Sequence, residues 1–255
     1  MIKTSKKKFL EIFDSLKIES QNYIIIHSSL FMLGKVEGGA DFVFKTIKKK
    51  FGKNNTIILP TYTYSYRRNE TYNLKNSPSD KLIGLLPEKF RKLKNCYRNT
   101  DPLFSHCAYG IDKKIIQRSS KNCFGYKSVF ENLFNKNATI LSIGVEFTHG
   151  ITEFLHIEKL FGVPYRYNKL FKGKSIINNK YQKDYCYHYV KKENFFKKYK
   201  SNRETLGRKL IEKKICKKIK YGYGHIYTID CQNMLDFTTK ELKKNPLIMV
   251  EKIRH

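Results

Sequence analysis

The sequence predicts an α/β fold, and three observations carry that reading. Short runs rich in β-branched residues, Tyr23-Ile-Ile-Ile-His27, Thr56-Ile-Ile-Leu-Pro60 and Thr139-Ile-Leu-Ser-Ile-Gly-Val145, have the apolarity of strands buried on both faces. The first two stop at polar landings, His27-Ser28-Ser29-Leu30 and Thr61-Tyr62-Thr63. Amphipathic segments separate the runs, so strand, polar turn and helix recur in the order of a sheet covered by helices. Ligands of such sheets gather beyond the carboxyl ends of the strands, which makes these turns the first place to look for chemistry.

The elements follow in order. Phe9, Ile12, Phe13 and Leu16 recur at helical spacing among Lys, Glu and Asp, giving an opening helix before the first strand. Phe42, Val43, Ile47 and Phe51 give a second, which begins after Gly38-Gly39 and closes at Gly52. Residues 62–82 are polar and rich in Tyr, Asn and Ser, a long loop fit to cover a site. Leu85-Leu86-Pro87 reads as a helix start, with Pro near the first position. Ser105–Gly110 reads as a short strand, Ser128–Phe134 as a helix, and Glu153–Phe161 as a helix stopped by Gly162-Val163-Pro164. Beyond Lys174 the alternation of Tyr185, Tyr187 and Tyr189 predicts a strand, and a charged helix is expected over about 190–213. Ile215–Tyr221 and Ile226–Ile229 flank Gly222-Tyr223-Gly224 as a hairpin, and a last helix runs from about Cys231 to Lys244. No linker or repeat interrupts the chain. One domain over 1–255 is expected, least clearly patterned from about residue 175.

The 255 residues carry 51 Lys and Arg against 22 Asp and Glu, a net charge of +29. The lysines spread from Lys3 to Lys252 and alanine occurs only at 40, 108 and 138. That bias fits an AT-rich coding sequence, so the charge reads as solvated surface that favours phosphate-bearing partners. A basic nucleic-acid-binding protein is the competing class; it needs a clustered basic stripe with aromatics, and residues 183–223 come nearest. No apolar run reaches the ~18 residues of a membrane span. The opening Met1-Ile-Lys-Thr-Ser-Lys-Lys-Lys-Phe-Leu lacks the apolar core of a secretory signal. Six scattered cysteines, at 96, 107, 123, 186, 216 and 231, have no metal-ligand spacing. Reduced thiols, no metal and a cytoplasmic location are therefore expected.

Neither GxGxxG nor GxxxxGK[ST] occurs, which argues against dinucleotide-binding dehydrogenases and P-loop enzymes. Two places remain. His27-Ser28-Ser29 offers N–H groups and hydroxyls at a strand end, suited to a phosphate or an amide. His149 and His156 flank Gly150-Ile-Thr-Glu-Phe-Leu just after the third strand, and a His beside a carboxylate supplies a general base.

These residues, in order, resemble the aminoglycoside 3-N-acetyltransferase family. The matching pieces are His27-Ser-Ser-Leu30 with Gly34 and Gly38-Gly39, Leu59-Pro-Thr-Tyr-Thr63, and Gly84-Leu-Leu-Pro-Glu-Lys-Phe-Arg91. They continue through Arg98, Asp101-Pro-Leu-Phe-Ser105, Gly110, Phe124-Gly-Tyr-Lys-Ser128, Ile143-Gly-Val145 and Thr152 to Glu158. Val163-Pro-Tyr-Arg-Tyr167, with Lys169 and Gly173, is similar to members of surface-glycan gene sets, and the last 80 or so residues match only loosely.

The resemblance implies a three-layer α/β/α sandwich and acetyl-CoA as acyl donor, entering along the strand-end turns at His27, Ser28, Ser29 and Leu30 with Thr61 and Ser105. It implies His156 as the His of the family's Thr…His-x-x-Glu motif. Glu158 stands one residue short of that spacing, and residues two apart on a helix point about 200° apart, so Glu153 competes with it as the orienting carboxylate. Asp101 replaces a His that drug-resistance members commonly carry, which turns the expected acceptor from an aminoglycoside towards an amino sugar of a surface glycan or one linked to a nucleotide. The expected reaction is direct acetyl transfer in a ternary complex, with oxyanion donors near Ser28, Ser29 or Thr61. The partners are CoA and the sugar. Homo-oligomerisation stays open.

Overall fold

The computed structural model describes residues 2–16, 18 and 23–253. Its centre is a mixed sheet of seven strands. In chain order β1 (Tyr23–Ser28), β2 (Thr56–Pro60), β3 (Tyr97–Arg98), β4 (His106–Gly110) and β5 (Thr139–Ile143) belong to it. Then β6 (Arg166–Ile177) and β7 (Lys180–Lys191) leave it as a long antiparallel hairpin, before β8 (Cys216–Tyr221) and β9 (Gly224–Asp230) return. The order across the sheet is β8-β9-β5-β1-β2-β4-β3. The three strands foreseen as buried runs, β5, β1 and β2, are its parallel centre, and every flanking pair is antiparallel.

The β-branched runs sit here because both faces are covered. Ile24, Ile26, Ile57, Leu59, Leu141 and Ile143 point to one face. There they meet Phe9 and Phe13 of α1 (Lys6–Ser15), Val43 and Ile47 of α2 (Gly39–Phe51), and Leu86 and Phe90 of α3 (Leu85–Arg91). Ile25, Ile58 and Ile140, at the alternate positions, meet the other helical layer. That layer contains α4 (Val129–Asn135, capped by Ser128), a short α5 (Phe147–Gly150), α6 (Glu153–Phe161), and, after the one-turn α7 (Glu193–Phe196), α8 (Glu204–Glu212) and α9 (Cys231–Lys244). The fold is the expected α/β/α sandwich.

Three expectations shift. β5 stops two residues early, because Gly144 adopts φ +70° and passes so close to the end of β1 that an added Cβ would lie 2.7 Å from the Ser29 carbonyl. The loop 62–82 contains 3-10 turns at Tyr64–Arg68 and Lys81–Ile83, and Tyr72–Asn73 pairs in parallel with β6. The charged helix expected over 190–213 is not one helix: β7 runs on through Lys191, α7 and a strand at Tyr199–Ser201 intervene, and α8 starts at Glu204. Nor do residues 183–223 make one basic face, since hairpin, two helices and a sheet strand divide them. No described helix is long and apolar enough to cross a membrane.

Candidate active site

A cleft of about 1350 Å³ opens where the segment after β5 meets the hairpin. Glu146 and Thr148–Thr152 form one wall, Tyr64 and Arg67 from the turn after β2 a second, and Arg166, His188 and Lys191 of the hairpin a third. Asn202, Arg203 and Glu204 close it. The hairpin is held against the turn after β2 by Tyr66, whose hydroxyl donates to the Asp184 carbonyl at 2.9 Å and whose ring lies where a Cβ on Gly173 would stand.

Helix α6 divides its residues between cleft and core, and this decides the predicted catalytic set. Thr152 and Leu155, three apart and on one face, line the cleft. Glu153 and His156, also three apart, face inward and are buried. Glu153 receives the His27 Nε2–H across both carboxylate oxygens, at 2.9 and 3.0 Å. Burial alone would raise the Glu153 pKa, but the charge and hydrogen bond of His27 outweigh it and hold the carboxyl below its ordinary value. The pair fastens α6 to the end of β1. His156 packs between Phe130 and Phe134, its Nδ1 accepts the Gly125 N–H at 3.1 Å, and burial drives its pKa down to about 4. An imidazole so placed does not line the cleft, and the general-base expectation for His156 finds no geometric support. Counted back from Glu158, the His-x-x-Glu spacing lands on Leu155.

Glu158 orients no imidazole either. Its buried carboxylate lies 2.9 Å from Arg203 Nη2 and 2.9 Å from Arg166 Nε, and accepts the Tyr165 hydroxyl at 3.0 Å. The Arg166 contact is an ion pair off the N–H axis, since Nε lacks a hydrogen-bond acceptor in line. Glu158 thus fixes two arginines of the cleft wall. Asp101 is spent on its own turn: Oδ1 accepts the N–H groups of Leu103 and Phe104 at 2.9 and 2.8 Å.

The predicted donor residues divide as well. Thr61 and Ser105 are fully buried and form a knot around Arg98. Ser105 Oγ donates to the Thr61 carbonyl at 2.6 Å, and Arg98 donates to Ser105 Oγ and to the Thr61 carbonyl at 3.2 and 2.8 Å. Their hydroxyls are engaged with each other and with this knot. His27 is committed to Glu153. Ser28, Ser29 and Leu30 remain, and Ser28 Oγ is buried without a hydrogen-bond partner among the described residues. Beside this turn Phe31 is 80% exposed and stacks on Tyr223 at 6.5 Å. None of the six predicted donor residues lines the large cleft.

Sequence reasoning missed much of what does. Arg67, Lys191 and Arg203 come from regions read as loop or charged helix, and His188 from the strand read in the alternating tyrosines. His188 is buried, with Arg67 Nη2 3.4 Å from its Nε2 and no partner for Nδ1 among the described residues. Burial first, then Arg67 and Arg166, push its pKa well below the ordinary imidazole value. Burial, with Arg166 and Arg203, also lowers the Lys191 pKa, so this wall is a region of positive field. For a metal, the arrangement found among the described residues is Asp101, Cys123 and Cys186, whose ligand atoms lie within 4.8 Å of one another. Burial raises the Cys123 thiol well above its ordinary pKa, and Asp101 is already engaged.

Comparison with known proteins agrees with this architecture. Among solved structures, AAC-IIIb in binary complex with CoASH superposes with a TM-score of 0.79 at 14% identity, over 95% of this chain and 97% of that one. Aminoglycoside acetyltransferase AAC(3)-IIb gives 0.80 at 16% identity, over 95% and 97%. The YokD protein of Bacillus subtilis gives 0.78 at 20%, over 96% and 95%. In sequence, the curated SPbeta prophage-derived aminoglycoside N(3')-acetyltransferase-like protein YokD of Bacillus subtilis (strain 168) is 22% identical over 165 residues, 56% of this chain and 61% of that protein. The match therefore spans less than two thirds of that relative's length. The sequence profile described as aminoglycoside 3-N-acetyltransferase matches residues 25–243. With that span covered, the chain belongs to the aminoglycoside 3-N-acetyltransferase family, a family of acyltransferases.

Proposed function

We propose that the chain transfers the acetyl group of acetyl-CoA to the amine of an amino sugar that carries negative charge, a nucleotide-linked sugar or a surface-glycan precursor. The observation that carries the choice of acceptor is the charge of the cleft. Arg67, Arg166, Lys191, Lys200 and Arg203 line it against Glu146, Glu204 and Glu251. An aminoglycoside is a polycation and gains from an acidic wall; a diphosphate gains from this one, where arginine forks meet phosphate oxygens two at a time. Family membership supports the donor, and the turn Ser28–Phe31 is its proposed seat: an unpartnered hydroxyl for the pantetheine amides, and the Phe31–Tyr223 stack for the adenine. The cytoplasm, where acetyl-CoA and nucleotide sugars are made, is the matching location.

Chemically, the amine nitrogen attacks the thioester carbonyl, the new C–N bond forms, the C–S bond breaks, and the amine proton leaves through a base while the CoA sulfur ends as a thiol. The test is a mass-spectrometric acceptor screen with acetyl-CoA across nucleoside-diphosphate-linked amino sugars, free amino sugars and aminoglycosides. An acetyl adduct on the nucleotide-linked class is expected. Adducts on aminoglycosides alone overturn the acceptor, and no adduct on any amine overturns the reading.

A further inference from the structure

We propose that His225, held by Glu146, is the base that takes the proton from the acceptor amine; the inference rests on the acetyltransferase reading above. The face of α6 that lines the cleft presents Thr152 and Leu155, neither a base, and His149 on the same wall has no carboxylate partner among the described residues, while His27, His106, His156 and His188 are buried. His225 differs from them in three respects. It opens β9, at the end of the sheet where β1 and β5 finish, with its carbonyl accepting the Gly144 N–H at 2.8 Å. Its side chain keeps 23% of its surface exposed. Its Nδ1 lies 3.3 Å from Oε1 of Glu146, a residue of the cleft wall, and the other Glu146 oxygen accepts the Tyr227 hydroxyl at 2.7 Å.

This is the arrangement a positioned base needs. A carboxylate fixed by a second donor receives the Nδ1–H, so the tautomer leaves the Nε2 lone pair free, and Nε2 has no protein partner among the described residues. The location joins the two proposed substrates. The segments Ser29–Met32, Ile143–Glu146 and Tyr223–His225 are tied by backbone bonds from Ser29 N to Ile143 O, Gly144 N to His225 O and Tyr223 N to Met32 O, all at 2.8 Å. The proposed donor turn is therefore adjacent to the segment that carries His225, and Glu146, the partner of its ring, lines the cleft. In the reaction, the amine attacks the thioester carbonyl, its proton passes to Nε2, and the imidazolium gives that proton to the departing CoA sulfur. Nothing else is consumed. Glu146 acts through His225 and is a positioning residue. The charged groups around the pair are Glu204, whose carboxylate acts on the neighbouring Tyr227, and Lys220, opposite His225 on β8 and on the same face of the sheet.

The experiment measures thiol release from acetyl-CoA with dTDP- and UDP-linked amino sugars as acceptor probes, for wild type, His225→Ala, His225→Gln and Glu146→Gln. Melting temperature and CoA affinity are read on the same samples. For His225→Ala, kcat is expected to fall about 10²-fold or more with CoA affinity unchanged, and added imidazole to restore part of the rate. The rising limb of the wild-type pH–rate profile should be absent from both His225 variants, and Glu146→Gln should lower kcat while leaving CoA affinity unchanged. A wild type that transfers acetyl while His225→Ala and His225→Gln keep its rate within twofold and its pH limb overturns the base and leaves the reading intact. A wild type that acetylates no amine in the acceptor screen above overturns both.

Discussion

Glu158→Gln separates a wall-building carboxylate from a catalytic one. The substitution preserves volume, so it opens no cavity; what it removes is the one negative charge between Arg166 and Arg203, whose side chains are 5% and 7% exposed. An unpaired buried charge costs about 3–5 kcal/mol, and because both guanidiniums also border the cleft, where water reaches them, the lower end applies. For a chain of this length about 3 kcal/mol lowers the melting temperature by about 6–12 °C. The amide nitrogen of the new Gln also confronts donors at 2.9 Å that want an acceptor, which adds to the loss. Calorimetry and urea titration check this, and the double variant Glu158→Gln with Arg203→Met should recover about 1 kcal/mol or more, since removing one stranded cation offsets removal of its partner. A melting temperature within 2 °C of wild type, together with a steep loss of rate, would refute the reasoning and return Glu158 to the catalytic set.

Acid should destabilise the fold earlier than carboxylates alone predict. Burial holds His106 and His156 near pKa 4 in the folded chain, so the unfolded chain binds more protons between about pH 6.5 and 4, and stability falls as pH falls through that window by about 3 kcal/mol per ring. Glu153, depressed in the fold, loses its contribution further down as it is protonated. Urea midpoints at pH 7.5, 6 and 5 measure the slope, and His156→Gln should flatten it; an unchanged slope means that His156 is not a buried neutral ring. Phe31→Ala should weaken CoA binding about tenfold, a stacking-sized loss, without moving the melting temperature of a residue that is 80% exposed. Calorimetric titration with CoA reads this directly, and an unchanged affinity removes the turn from the donor site.

The sheet was legible in the sequence because its residues answer to one simple constraint. Ile24, Ile25 and Ile26 alternate between two covered faces, and α9 runs over Cys231–Lys244 as the pattern foretold. Only half of the hairpin was legible: the alternating tyrosines mark β7, whereas β6 is exposed along most of its length and its Lys, Asn and Gly carry no period-2 signal. The site was less legible for a related reason. A helix turns about 100° per residue, so reading His156 in place of Leu155 moves the predicted ring from cleft to core. Polar strand ends were also ambiguous: Ser105 and Thr61 look the same in sequence whether they await a ligand or, as here, Arg98. His225 lay in a hairpin with no motif around it, and only the pairing of β9 with β5 brings it to Glu146.

The hairpin of β6 and β7 has a consequence for how this molecule changes over time. It reaches the cleft from outside the main sheet and supplies Arg166, His188 and Lys191, while the proposed donor turn and the His225–Glu146 pair stand on strands of the sheet itself. On the proposed reading, preference for one sugar over another can change through the few cleft residues of the hairpin, Arg166, His188 and Lys191, without touching the strands that carry the proposed acyl-transfer parts. Proposed recognition and proposed chemistry thus stand on two pieces of one polypeptide that can change separately.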